Sequence, residues 1–251
     1  REAQTQGLNF ILQSKYRVQG LAAPTGSGKT GLALALGVIN ARKSKRTLIL
    51  TETKGLQAIY AAEGAQMQRG LVANISGAGN YDCHALELGG RYDYLTVSRG
   101  GRTKCDQGPC NAGLQCKLRD MGCTFYGSDG ALQRARDASI VITNYANWFS
   151  AADQSMKEEK FGEFDTIICD EGDKSADVLC NSLSIELDLR DVAHLKKATG
   201  TQTIEQWIGW CRQLLPSVES ELADYQAEVK SIKASGGQLP ATLLADLRTA
   251  Q

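Results

Sequence analysis

The sequence predicts an α/β fold built on a parallel sheet, and three observations support that prediction. Short apolar runs bounded by turn residues recur as far as Asp170, as expected for strands buried in a parallel sheet. Helical patterns lie between several of these runs, and a glycine-rich loop separates the first run from an almost wholly apolar helix. The predicted strands span residues 18–23, 47–51, 71–75, 140–143 and 166–170.

The overall composition excludes some classes of protein. The 251 residues carry 28 Lys and Arg against 28 Asp and Glu, which excludes a uniformly basic nucleic-acid coat. No run approaches the roughly 20 apolar residues of a membrane span, and residues 1–20 lack the apolar core of a signal peptide. We therefore expect no membrane partner and a cytoplasmic location, or a nuclear one if the source is a eukaryote.

A phosphate-binding loop is predicted where the first apolar run ends. Small residues there let backbone N–H groups surround a phosphate, and the following helix directs its positive end at the same place. In such a loop Lys29 would contact the β and γ phosphates of ATP, and the Thr30 hydroxyl would bind Mg²⁺. The alternative is a glycine-rich turn that happens to precede a helix. The candidate ATP-binding residues of the loop are Pro24, Thr25, Gly26, Ser27, Gly28, Lys29 and Thr30.

An acidic motif follows the last predicted strand. Asp170 and Glu171 end the apolar run at residues 166–169, and hydrolysis of a nucleoside triphosphate needs two acids placed in this way. We assign Asp170 to Mg²⁺ and Glu171 to the orientation and deprotonation of the attacking water. Alone, the pair would equally fit a solvated strand end.

Five of the eight cysteines cluster between the two motifs. Their spacing lacks the C-x-x-C pattern of typical zinc knuckles, and gaps of four, five and six residues fit a loop around a bulkier iron–sulfur cube. A zinc site with the same residues, or a set of reduced structural thiols, remains an alternative. We expect Cys169, Cys180 and Cys211 to be core residues. The clustered residues are Cys83, Cys105, Cys110, Cys116 and Cys123.

Taken in order, these motifs resemble the XPD/DinG-like iron–sulfur superfamily 2 DNA helicases, especially their phage-type members. Ala23 replaces the first glycine of the phosphate loop, a variant common among superfamily 2 helicases. The acidic motif resembles the Asp-Glu-Ala-His box of that family. The fourth residue of the box couples ATP hydrolysis to strand movement, and this position is Asp173 here. Further matching segments are Arg1 with Gln4, residues 51–53 with 56–57, and residues 80–83, 108–110, 122–126 and 143–145.

The resemblance implies a RecA-like P-loop domain with two insertions, and it implies the cofactors. ATP and Mg²⁺ would bind at the loop, with Gln4 as an adenine contact, and a 4Fe-4S cluster, or zinc as the alternative, would bind the cysteines. The implied cluster ligands are Cys83, Cys110, Cys116 and Cys123, with Cys105 as the alternate. Residues 1–82 and 124–182 would form the RecA-like domain, 83–123 the cluster insertion and 183–251 an incomplete Arch-like helical segment.

The implied activity is that of the N-terminal ATPase domain of a monomeric helicase that moves 5′ to 3′ on single-stranded DNA and opens forked DNA. A second RecA-like domain of the same polypeptide would complete the ATP site, so we expect the 251 residues alone to bind ATP weakly and hydrolyse it poorly. Two alternatives stay open: an ATP-dependent switch or scaffold that does not unwind, and a zinc-bearing P-loop enzyme for small molecules. Candidate DNA contacts are Tyr92, Tyr94, Arg99, Arg102, Lys104, Arg119, Phe125 and Tyr126.

Overall fold

The computed structural model describes residues 2–24, 26–67, 70–83, 104–106, 108, 110–111, 116, 118–150, 160–184 and 203–234. These residues form seven α-helices and four β-strands. The helices are α1 (Glu2–Gln13), α2 (Lys29–Ala41), α3 (Lys54–Gly64), α4 (Ala131–Asp137), α5 (Tyr145–Phe149), α6 (Ser175–Leu183) and α7 (Ile204–Ala234). The strands are β1 (Thr47–Thr51), β2 (Val72–Asn74), β3 (Ile140–Asn144) and β4 (Thr166–Cys169).

The four strands form one parallel sheet in the order β2-β3-β1-β4, which confirms the predicted α/β class. Thr47 lies opposite Ile140 on one side and Thr166 on the other, so the strands enter the sheet at the same level. Because all strands run the same way, their carboxyl ends meet at one edge. That edge carries the acidic motif.

The prediction of a strand at residues 18–23 is wrong. This segment has no regular secondary structure, and Val18 and Leu21 are 85% and 42% exposed. A strand needs a neighbouring strand to satisfy its backbone N–H and C=O groups, and an apolar sequence alone does not supply one. The phosphate loop therefore follows an extended exposed segment instead of a central strand.

The core lies around the two inner strands, whose residues are buried at every position. Helix α2 packs closely on this core, because a Cβ at Gly37 would lie 2.8 Å from Ile140 Cδ1. Strand β4 lies at the sheet edge, where burial alternates and Ile167 is 49% exposed. Cys169 on the same strand is exposed, and so are Cys180 and Cys211, so the prediction that these three are core residues is wrong.

The chain divides into two compact units, residues 1–84 with 104–184 and residues 85–103 with 185–251. The described part of the second unit is helix α7, which continues through Pro216. Its first turns expose a stripe of apolar side chains that includes Ile204, Trp207 and Leu215. Within the described ranges, no helix is both long and apolar enough to cross a membrane.

Candidate functional site

The phosphate loop adopts a backbone conformation that only glycine takes up easily. Gly26 and Gly28 have φ angles of 79° and 87°, in the left-handed region that a Cβ disfavours. Gly28 is the residue that immediately precedes α2, a helix of 13 residues. The loop therefore ends at the positive end of a long helix dipole, where an anion is stabilised. Thr25 lies outside the described residues.

Two polar side chains of the loop are arranged as a phosphate site requires. The Ser27 hydroxyl is buried and is, among the described residues, the one buried side-chain N or O atom without a hydrogen-bond partner. The Lys29 ammonium donates to the Ala23 carbonyl at 3.1 Å, so it is folded back over its own loop. An unpartnered buried hydroxyl is costly unless a ligand satisfies it. The loop thus offers a hydroxyl and an ammonium to an anion.

Gln4 of α1 lies directly against the loop. Its Nε2 donates to the Gly28 carbonyl at 3.3 Å, and a Cβ on Gly28 would lie 2.0 Å from the same nitrogen. Any side chain at position 28 would therefore displace Gln4 as well as strain the backbone. The contact of Gln4 that the structure describes is with the phosphate loop; its predicted contact with adenine stays a prediction.

The acidic motif lies at the carboxyl edge of the sheet, and two tyrosines hold it there: Tyr60, which sequence reasoning missed, and Tyr145, which belongs to the matching segment 143–145. The backbone N–H of Asp170 donates to the Leu50 carbonyl at 2.9 Å, which extends the pairing of β4 with β1. Tyr60 of α3 donates from its hydroxyl to Asp170 Oδ2 at 3.0 Å, and Tyr145 donates to the Asp170 carbonyl at 3.0 Å. Asp170 is therefore fixed at both its backbone and its carboxylate.

Glu171 is held in an unusual conformation beside other charged groups. Its φ of 52° lies in the left-handed region, which is uncommon for a residue other than glycine. A hydrogen bond with Glu52 raises the pKa of Glu171, with smaller contributions from slight burial and from the negative charges of Glu52 and Asp170, while Lys29 opposes the rise. Asp170 and Lys29 thus act in opposite directions on the pKa of Glu171, and the predicted catalytic roles of the three residues stay predictions.

One segment that carries the family resemblance, residues 51–53 with 56–57, is partly engaged inside the protein. Gln57 is buried, donates to Asn74 Oδ1 at 2.6 Å and accepts a bond from Asn144 Nδ2 at 3.1 Å. Thr53 caps α3 by accepting a bond from the Leu56 N–H at 3.2 Å. Gln57 and Asn144 therefore tie α3 to the sheet, and Thr53 is the exposed residue of this segment.

The cysteine-rich segment brings its first two thiols side by side. An isolated antiparallel bridge joins Asp82 to Lys104, and the two side chains form an ion pair at 2.6 Å. The neighbouring residues Cys83 and Cys105 are consequently both buried, with 7% and 1% of their surfaces exposed. The Cys105 thiol donates to the Asp82 carbonyl at 3.3 Å.

The other three thiols belong to the same cluster. Cys105 forms a side-chain hydrogen bond with Cys123, and burial, followed by the nearby Cys123, Cys83 and Cys110, raises its pKa. Burial first, then Cys116 and Cys123, raises the pKa of Cys110 to about 12, against the opposing charge of Arg119. Over the described residues, no group of three or more Cys, His, Asp or Glu side chains is arranged to hold a single metal ion.

Aromatic and basic residues predicted to contact DNA have partners within this segment. Phe125 is buried between Tyr81 and Tyr126, with ring centroids 4.9 and 4.7 Å away. Lys104 pairs with Asp82, and Arg119 Nε donates to the Tyr126 carbonyl at 3.2 Å. The remaining candidates, Tyr92, Tyr94, Arg99 and Arg102, lie outside the described residues.

No protein-family model matches the chain, and no curated protein matches it. A functional conclusion therefore depends on the site itself. Two features define that site: a glycine loop at a helix N-terminus with an unsatisfied hydroxyl, and the neighbouring acids Asp170 and Glu171, the second of which feels the charge of the loop lysine.

Proposed function

We propose that this chain binds Mg-ATP and forms the N-terminal ATPase domain of an ATP-dependent DNA helicase. The observation that carries the nucleotide part is the phosphate loop, whose Ser27 hydroxyl is buried without a hydrogen-bond partner and whose Lys29 acts electrostatically on Glu171. A loop that only turned the chain would have no reason to bury an unsatisfied hydroxyl at a helix N-terminus.

The residues of the site have distinct roles in ATP hydrolysis. The N–H groups of the loop and the Lys29 ammonium neutralise charge on the phosphates. Thr30 and Asp170 would hold Mg²⁺, which, when bound, neutralises further phosphate charge and polarises the terminal phosphoryl group. Glu171 accepts the proton of the attacking water, and its raised pKa makes the carboxylate a stronger base than an ordinary glutamate.

The cysteine cluster supports an iron–sulfur cofactor. Five thiols meet in one segment and two of them are almost wholly buried, and thiolates are the ligands that iron–sulfur clusters require. These residues fit a 4Fe-4S cluster, whose chemistry here is to stabilise the fold of the cysteine-rich segment. Zinc binds the same type of ligand, so metal analysis of protein purified without oxygen distinguishes the two.

The helicase part of the proposal depends on the order of the sequence motifs. In that order the chain resembles helicases that move 5′ to 3′ on single-stranded DNA and use a second RecA-like domain. A strand-displacement assay on the full-length protein with forked DNA tests it. Hydrolysis stimulated by DNA without unwinding would favour the ATP-dependent switch, and hydrolysis indifferent to DNA would favour a P-loop enzyme for small molecules.

The nucleotide part is tested by equilibrium binding of a fluorescent ATP analogue to the 251-residue chain. We expect Lys29→Ala to weaken binding at least tenfold, because the ammonium that faces the phosphates is lost. Lys43→Ala is the matched control, since Lys43 is exposed just after α2 and should leave the affinity unchanged. If the wild type and Lys29→Ala bind the ATP analogue with equal affinity, the proposed ATP site is wrong.

A further inference from the structure

Tyr60 occupies a position between the two candidate Mg²⁺ ligands. It lies on α3, is only 1% exposed, and donates from its hydroxyl to Asp170 Oδ2 at 3.0 Å. Thr30 lies beside the same hydroxyl. One phenol therefore contacts the last residue of the phosphate loop and the acid at the end of β4.

The direction of the hydrogen bond with Asp170 follows from the chemistry of the groups. An ionised carboxylate only accepts, so the single hydrogen of the Tyr60 hydroxyl is directed at Asp170. A Thr30 hydroxyl that approaches the Tyr60 oxygen can then only donate its own hydrogen to it, which would leave the lone pairs of Thr30 for a cation. Asp170 accepts from Tyr60 at one of its two oxygens, Oδ2.

A phenol hydroxyl carries its hydrogen at neutral pH, so Tyr60 can donate to the Asp170 carboxylate. A permanent donor at this place fixes the Asp170 carboxylate in one orientation, as partners of metal ligands commonly do. Without it, both side chains could rotate away from the positions in which they bind a cation.

We propose that Tyr60 is a positioning residue that orients Thr30 and Asp170 as a pair for Mg²⁺. This inference rests on the proposed nucleotide site and adds a residue to it. Tyr60 belongs to the buried face of α3 with Gln57 and Gly64, so its ring also packs in the core. A test must therefore separate the hydroxyl from the ring.

The test compares Tyr60→Phe with Tyr145→Phe, measured as Mg²⁺ dependence of fluorescent ADP binding. Tyr145 is the matched control because it also donates to Asp170, but to the backbone carbonyl. We expect Tyr60→Phe to raise the Mg²⁺ concentration for half-maximal binding about tenfold while leaving binding in EDTA unchanged. Tyr145→Phe should raise the Mg²⁺ midpoint less than Tyr60→Phe, because Tyr145 contacts the backbone of Asp170 and not its carboxylate.

The possible outcomes separate this inference from the proposed function. Wild-type protein that binds no ADP would overturn the nucleotide site itself. Wild-type protein that binds ADP with the same Mg²⁺ midpoint as Tyr60→Phe would overturn only the role of Tyr60. If Tyr60→Phe does not fold, NMR of ¹³C-tyrosine-labelled wild type decides instead. Mg²⁺ added to the ADP complex should shift the ring carbon that carries the Tyr60 hydroxyl, and an unmoved signal would overturn the inference.

Discussion

The carboxyl groups of Glu52 and Glu171 lie next to each other, although one follows β1 and the other follows β4. Two carboxyl groups so placed repel each other when both are ionised and can form a hydrogen bond when one is protonated. The neighbouring Glu52 therefore raises the pKa of Glu171, and the charge of Asp170 acts in the same direction. Glu52 thereby tunes the residue that we assign to proton transfer.

Replacement of Glu52 by Gln should lower the pKa of Glu171, because the neighbouring negative charge is lost and an amide N–H donor is gained. The pKa is measured by NMR titration of the Glu171 carboxyl carbon in both proteins. A raised pKa means that the folded state holds a proton that the unfolded chain has released. The free energy of unfolding therefore falls as pH rises through this interval, and Glu52→Gln should reduce that fall. An unchanged Glu171 pKa in Glu52→Gln would show that the two groups are not coupled.

A second pH effect comes from Lys160, whose ammonium donates to Asn147 Oδ1 at 2.9 Å. Burial lowers its pKa to about 8 from the model-peptide value of 10.5. Between these two pH values the unfolded chain binds more protons than the folded one, so the free energy of unfolding rises with pH. Over the whole interval the free energy of unfolding rises by an amount on the order of 3 kcal/mol. Urea unfolding at pH 7.5 and pH 9.5 measures the part of this rise that falls between those two pH values.

The variant Lys160→Met removes this titration while keeping a side chain of similar length. We expect the free energy of unfolding of the wild type to rise relative to that of Lys160→Met as pH rises. Tyrosines and cysteines titrate equally in both proteins, so their contribution cancels in the difference between the two free energies. Lys174→Met is the control, because the Lys174 side chain is 51% exposed and should show no such difference. If the free energies of unfolding of the wild type and of Lys160→Met change in parallel with pH, the prediction is refuted.

Local sequence patterns predicted the parts of the fold that local physics determines. The strands β1 and β3 were recognisable because β-branched and leucine residues fill positions that are buried on both faces. The segment at residues 18–23 is also largely apolar but is not part of the sheet, and pairing depends on tertiary contacts that a short apolar run does not encode. Exposure of Cys169 has a similar cause, since β4 lies at the sheet edge.

The candidate site, too, could be predicted from the sequence only in part. The phosphate loop and the Asp170–Glu171 pair were recognisable because their chemistry needs particular residues at fixed spacings. Tyr60 was missed, since helical spacing indicates a buried face of α3 but not which distant group its hydroxyl reaches. The contact with Asp170 joins residues from separate elements, so only the folded structure shows it.

Arg46 is expected to be a major contributor to stability. Its guanidinium donates to the carbonyl groups of Ala135, Ala138, Phe161 and Glu163, and so joins the end of α4 to the segment before β4. Hydrogen bonds from a charged donor are among the stronger ones in proteins, and a lysine cannot reproduce this planar fork. We expect Arg46→Lys to lower the free energy of unfolding by about 2 kcal/mol in urea titrations. The exposed Arg42→Lys is the control, and equal stabilities of the two variants would contradict the assignment.

The last prediction concerns which thiols bind the cluster. Cys105 is buried beside Cys83, whereas Cys116 is only partly buried. A four-iron cube needs four thiolates around one centre, and the burial of Cys105 next to Cys83 favours Cys105 over Cys116 as the fourth. We therefore expect Cys105→Ser to lose most of its iron and sulfide, and Cys116→Ser to retain most of both.

Iron and acid-labile sulfide are measured on protein purified without oxygen, together with the visible absorption of the cluster. Cys211→Ser is the control, because Cys211 is exposed on α7 and should leave the iron content at the wild-type level. Full iron in Cys105→Ser with loss in Cys116→Ser would instead support Cys83, Cys110, Cys116 and Cys123, the set implied by the family resemblance. Colourless wild-type protein with one zinc ion per chain would exclude the iron–sulfur cluster and leave the same thiols as zinc ligands, since thiolates bind both metals.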